Sequence, residues 1–138
     1  MNADERGWAV AGLCVVALGC APLPARDGQG PLAGAGDAAR GRAVFVAREG
    51  GHCVLCHAAP GVAVAGDVGP ALGGIGSRLT PAQIRFRVVD ITRVNPDAVM
   101  PAFHRTGGLA RVAAQHAGRP VLSAQQVEDV VAYLATLR

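Results

Sequence analysis

Lysine is absent from this chain of 138 residues, aromatics make up 4% of it, and cysteines number four. No apolar run is long enough to span a bilayer. Each shortage narrows the reading. All 13 basic residues are arginine, set against 10 acids, and no basic tract interleaved with aromatics occurs, so nucleic acid is not an expected partner. The main apolar run, eleven residues from Trp8 to Leu18, is too short for a spanning helix and the right length for the core of an export leader. With Trp8 in that leader, the mature part keeps Phe45, Phe86, Phe103 and Tyr133 as its large rings. That is a thin core for the one domain this length supports, and it predicts that something besides side chains fills it.

Residues 1–20 are therefore read as a signal peptide, although Asp4 and Glu5 outweigh Arg6 ahead of the run. The run closes on Ala17-Leu18-Gly19-Cys20, the form of a lipobox, in which the cysteine is acylated and becomes the new amino terminus; alanine stands where leucine is usual. Cleavage after Ala21 or Ala25, with Cys20 incidental, is the other reading, and both stay open. Cys14 lies in the leader core as apolar filler. That leaves Cys53 and Cys56 with no other cysteine to bridge, which excludes a disulfide scaffold. Residues 21–36 are rich in proline, glycine and alanine without periodicity and read as a flexible linker, so the domain is expected over 37–138. Without residues 1–20, 12 arginines face 8 acids, an excess that leaves room for an anionic partner.

Within the domain, Cys53-Val54-Leu55-Cys56-His57 has the C-x-x-C-H spacing of c-type haem attachment. Two thiols three positions apart reach neighbouring edges of one macrocycle, and the next residue turns its imidazole onto the metal. A zinc or dithiol site at Cys53 and Cys56 is the alternative. A haem answers the thin core: several hundred Å² of apolar macrocycle at roughly 25 cal/mol per Å² gives an upper bound on the order of 10 kcal/mol. The chain without haem is expected to fold poorly.

A helix is predicted over Asp37–Arg48, with Asp37 as N-cap and Gly50-Gly51 ending it; Gly41 and Phe45 share a face. Residues 58–76 hold too much glycine and proline for a regular element and read as a loop wrapped on the cofactor. Thr80-Pro81-Ala82-Gln83 starts a second helix, and Ile84, Val88 and Ile91 recur along it until Asn95-Pro96. Arg85, Arg87 and Arg93 are read as solvated charge. Met100 then stands in a proline-bracketed loop, off any helical stripe, forty-three residues after His57. A thioether as second axial ligand favours ferrous iron and suits an electron carrier. Met100 is the expected sixth ligand and His104 the runner-up, while His52 lies too close to the tethering cysteine and His116 is placed on the surface. Residues 106–120 predict only a short turn near Leu109 and Val112. A last helix is capped by Ser123 and Gln126 and buries Val127, Val130, Val131, Leu134 and Leu137, with Tyr133 facing Gly41 and Phe45. The expected fold class is all-α, and the first and last helices crossing beside a covalently bound haem would resemble class I cytochrome c.

Gly69-Pro70-Ala71-Leu72 resembles the Gly-Pro-x-Leu segment of many such cytochromes, which implies that the Pro70 carbonyl accepts the ring N–H of His57. Three stretches narrow the likeness: Gly66–Pro70, Val89–Pro101 with its Asn-Pro-Asp-x-x-Met-Pro loop, and Leu122–Leu134 with Glu-Asp-Val-Val. Together they closely resemble SoxX, the monohaem subunit family of the sulfur-oxidation complex SoxAX, from about Asp37 to the end. Phe103-His104 stands where that family often has tyrosine. The resemblance implies one haem c, a heterodimer with a SoxA-like haem subunit, and a place in an L-cysteine S-thiosulfotransferase that links thiosulfate to the carrier SoxYZ. It further implies a downstream soluble cytochrome c as electron acceptor and a bacterial periplasmic location. No free thiol, base or nucleophile is left once haem takes both cysteines, so catalysis by this chain alone is not expected. A general periplasmic or lipid-anchored electron carrier, unrelated to sulfur oxidation, is the alternative reading.

Overall fold

A computed structural model describes residues 28–63, 66–110 and 112–138. The expected leader, with Cys14 and Cys20, and the first part of the expected linker lie outside the described residues. Among the described residues four α-helices form: α1 (Ala38–Val46), α2 (Ile75–Arg78), α3 (Pro81–Val89) and α4 (Ala124–Thr136). Single 3-10 turns lie at Cys53–Leu55, Ile91–Arg93 and Ala114–His116, and among the described residues there is no strand. No helix among them is long and apolar enough to cross a membrane.

The caps read from the sequence hold α1, α3 and α4. The Asp37 carboxylate accepts from Arg40 N–H at 2.8 Å. Thr80 with Gln83 and Ser123 with Gln126 form reciprocal capping boxes, each satisfying two otherwise orphaned N–H groups. Two ends differ from expectation. α1 stops at Val46 because the chain turns extended at Ala47, and the N–H groups of Gly50 and His52 both close onto the Ala47 carbonyl. α3 stops at Val89, not at Asn95, because Asp90 is extended and its carboxylate accepts from Thr92 N–H, starting a 3-10 turn of its own. Ile91 therefore leaves the α3 stripe. The expected turn near Leu109 and Val112 falls instead at Ala114–His116.

α1 crosses α4 at Gly41, where any Cβ would collide with the Asp129 backbone and approach the Tyr133 side chain. The missing side chain lets the two backbones touch, and Phe45, one turn on, meets Tyr133 edge-to-face with ring centroids 5.4 Å apart. Phe45, Leu122 and Val127 are fully buried, and Val130, Val131 and Leu134 complete the α4 stripe as expected.

The back of α4 departs from the sequence reading. Arg85, expected in solvent, is 6% exposed and forms a two-pronged pair with Glu128 at 2.8 and 2.7 Å. Its remaining arm donates to the Gln29 carbonyl at 2.7 Å. Glu128 also accepts from Leu32 N–H at 2.8 Å, and Asp129 accepts from Asp37 N–H at 2.8 Å and from Arg40 at 2.9 Å. Residues 29–37, mostly inside the expected linker, are thus strapped along α3 and α4 by buried carboxylates. Burial pushes Glu128 upward, but the Arg85 hydrogen bonds, the Leu32 N–H and the Arg85 charge outweigh it, so its carboxyl sits below the ordinary value. At Asp129 the Arg40 hydrogen bond leads, against burial and with help from Asp37 N–H and Gln125, and holds the carboxyl at about 2.

Two outcomes follow from this cluster. Glu128→Ala leaves the Arg85 charge buried without its partner and lowers stability in urea by about 3–5 kcal/mol, whereas an apolar pair at positions 85 and 128 is close to neutral. Because the folded Asp129 carboxyl lies below its unfolded value, its contribution is complete above about pH 4 and lost as pH falls toward about 2. Melting temperatures between pH 5 and pH 2 therefore drop more steeply in the wild type than in Asp129→Asn.

Candidate cofactor site

The turn Cys53–Leu55 begins at His52, whose backbone takes the left-handed conformation at φ 43°. Histidine tolerates that region better than most residues. The turn closes with Cys56 N–H on the Cys53 carbonyl at 3.1 Å and His57 N–H on the same carbonyl at 2.9 Å. Both thiols and the His57 ring thereby face one cavity. The glycine-rich loop folds back on this turn as expected: Gly66 N–H donates to Val54, Gly69 N–H to Cys56 and Leu72 N–H to Ala58, each at 2.8 Å.

That fold-back brings the Pro70 carbonyl to 2.7 Å from His57 Nδ1. A carbonyl only accepts, so Nδ1 carries the proton and the lone pair resides on Nε2, the nitrogen left for a metal. Gly69 lies flat against the ring, and a Cβ there would strike Cε1, Nδ1 and Nε2 together. The sequence reading picked out Pro70 but missed this role of Gly69; the signal was the glycine preceding that proline.

The cavity measures about 890 Å³, within the range of roughly 300–1,000 Å³ typical of cofactor sites. Its walls are mostly apolar, with Phe45 from α1, Ile84 and Val88 from α3, Val130 and Leu134 from α4, and Leu72 from the loop, while Arg78, Arg87, Asn95 and Asp97 also reach the lining. Met100 lines it from the loop after α3 and packs against the core. His104 does not: it is absent from the lining, and its Nδ1–H donates to the Leu122 carbonyl at 2.7 Å. His116 is exposed. Of the two expected sixth ligands the structure brings only Met100 to the cavity. His52 lines it as well, next to the turn that carries the thiols.

No disulfide joins Cys53 and Cys56. Burial pushes Cys53 up to about 11. Thiol–disulfide catalysts instead hold a thiol lowered into the thiolate range, so the dithiol reading loses support. Among the described residues no group of three or more His, Cys, Asp or Glu side chains converges as a zinc cage would. A large apolar slot with two thiols, an oriented imidazole and a thioether on its walls fits a haem c.

Comparison with known proteins agrees. The family model described as Cytochrome c matches residues 38–138. Among solved structures, a chain of the crystal structure of SoxXA from P. pantotrophus is 35% identical with a TM-score of 0.68, covering 75% of this chain and 83% of that one. A search of curated proteins finds no match.

Gly69→Ala tests the packing of the imidazole. Overfilling a closed contact costs about 1–3 kcal/mol, and here the displaced group is the His57 ring. The variant is expected to melt lower and to lose part of its low-spin visible spectrum when loaded with haem. A spectrum and melting temperature equal to the wild type would contradict the contact.

Proposed function

The chain belongs to the cytochrome c family, and from its likeness to a SoxXA chain we propose that it is the electron-accepting haem subunit of a two-subunit thiosulfate-oxidising complex. It is an electron-transfer cytochrome resembling SoxX, and its cofactor is haem c. In this reading Cys53 and Cys56 would carry the macrocycle through thioether bonds, and His57 and Met100 would hold its iron. Pro70 holds the His57 tautomer and orientation, which raises the basicity of the coordinating nitrogen. Bound haem supplies one-electron exchange between ferrous and ferric iron, with a thioether ligand raising the potential.

The likeness to a SoxXA chain carries the assignment. The partner is then a SoxA-like haem subunit that performs the sulfur chemistry, joining thiosulfate to a cysteine of SoxYZ with release of two electrons. This chain accepts them one at a time and passes each to a soluble cytochrome c. The division of labour suits its residues. Cys53 and Cys56 would be consumed by cofactor attachment, and among the described residues the buried acids Asp90, Glu128 and Asp129 are tied into ion pairs away from the cavity lining. Residues 1–20 are the export leader in this reading, which places the domain in the bacterial periplasm. Lipidation of Cys20 adds a membrane anchor where the lipobox is used, and the mass of the mature amino terminus distinguishes that from plain cleavage.

Purification of the native protein tests the proposal. The expected result is co-elution with a second haem-bearing subunit, and reduction of this chain's haem by thiosulfate plus the carrier protein only when that subunit is present. A lone monomer that exchanges electrons with respiratory partners and ignores thiosulfate would overturn it in favour of a general carrier.

A further inference from the structure

The loop that carries Met100 leaves α3 at Asp90 and returns at Phe103, and both ends are tied at one neck. Phe103 N–H donates to the Val88 carbonyl at 3.3 Å and His104 N–H to the Val89 carbonyl at 3.2 Å. Both bonds are long for N–H···O contacts. The shorter tie is ionic: Arg105 Nη1 donates to Asp90 Oδ2 at 2.9 Å. The other Asp90 oxygen accepts from the Thr92 hydroxyl at 2.6 Å and from Thr92 N–H at 3.1 Å, and that hydroxyl in turn accepts from Arg105 at 3.3 Å. Asp90 is 2% exposed, so its charge is desolvated at the point where the loop begins. The tip has a turn of its own, with Ala98 N–H on the Asn95 carbonyl and Asp97 N–H on the Asn95 side chain, but those bonds lie within the loop. Asn95, Pro96, Asp97 and Val99 are exposed.

We propose that Asp90 and Arg105 are a positioning pair for Met100, a clasp at the neck that keeps the thioether on its side of the cavity. The inference rests on the assignment of Met100 as sixth ligand. With the clasp closed, the order of residues 91–104 is fixed by protein contacts and the sulfur–iron bond does not have to hold the loop alone. With the clasp broken, the loop swings at its neck, and an external ligand competes for iron more readily in the ferric state, where a thioether is the weaker donor.

Imidazole binding to the haem-loaded ferric protein is the probe, followed together with the sulfur-to-iron charge-transfer band. Arg105→Gln removes the charge of a partly exposed side chain while keeping a polar amide at its place. It is expected to bind imidazole roughly tenfold faster, the factor given by about 1.4 kcal/mol of lost loop closure, and to show a weaker band. Arg105→Lys recovers part of both. Glu128→Gln, which breaks the ion pair behind α4, is the control: it lowers the melting temperature and leaves the imidazole rate unchanged. A wild-type band with an unchanged Arg105→Gln rate overturns the clasp, as does a Glu128→Gln variant accelerated as much as Arg105→Gln. A wild type with no such band overturns the Met100 assignment and the clasp with it.

Discussion

The backbone contact between α1 and α4 at Gly41 is the constraint on which the rest of the structure depends. Because no Cβ separates the helices there, α1 lies close enough for Phe45 to reach both the Tyr133 ring and the cavity wall. The same crossing directs the chain after Ala47 into the turn that carries Cys53, Cys56 and His57. On the other helix it aims Val130 and Leu134 at the cavity. A larger residue at position 41 would collide with the Asp129 backbone and so disturb all of these together.

The crossing also divides the molecule into two environments. On the cavity side of α4 the walls are mostly aliphatic and aromatic, with the His57 imidazole, the Met100 thioether and a few polar groups such as Arg87 and Asn95 set among them. Behind α4, Glu128 and Asp129 are desolvated yet fully paired, with Arg85, Arg40 and the backbone of the preceding strap. Buried carboxylates in water-poor surroundings are costly unless hydrogen-bonded and paired, and here both conditions hold. They keep residues 29–37 on the helix face, away from the cofactor.

Much of the candidate haem site was legible in the sequence because its signals are local. C-x-x-C-H and Pro70 each carry their meaning within a few residues, and the structure gathers Cys53, Cys56, His57, Pro70 and Met100 on one cavity. Helix starts were legible for the same reason, since Asp37, Thr80 and Ser123 act on N–H groups three positions away. The buried charges were not. Nothing near Arg85 separates a solvated arginine from one paired with Glu128, a partner 43 residues away, and the strap looked free because its hydrogen bonds go to side chains of the last helix. The early end of α3 was hidden as well: Ile91 fits the helical period, but Asp90 offers its carboxylate to Thr92 and takes over as the cap of a new turn. Likewise His104 and Met100 both sit near the right place in sequence, and the choice between them rests on which faces the cavity.

The central claim is that Met100, with His57, would hold the haem iron. The chain has two methionines, Met1 and Met100, so selective ¹³C-methyl labelling of methionine gives a spectrum with little to confuse. In the ferrous haem-loaded protein, an axial thioether holds its methyl group over the macrocycle, where the ring current shifts it upfield of every ordinary methyl. The account predicts one such resonance, lost in Met100→Ala. A low-spin ferrous protein with all methionine methyls at ordinary positions would contradict it.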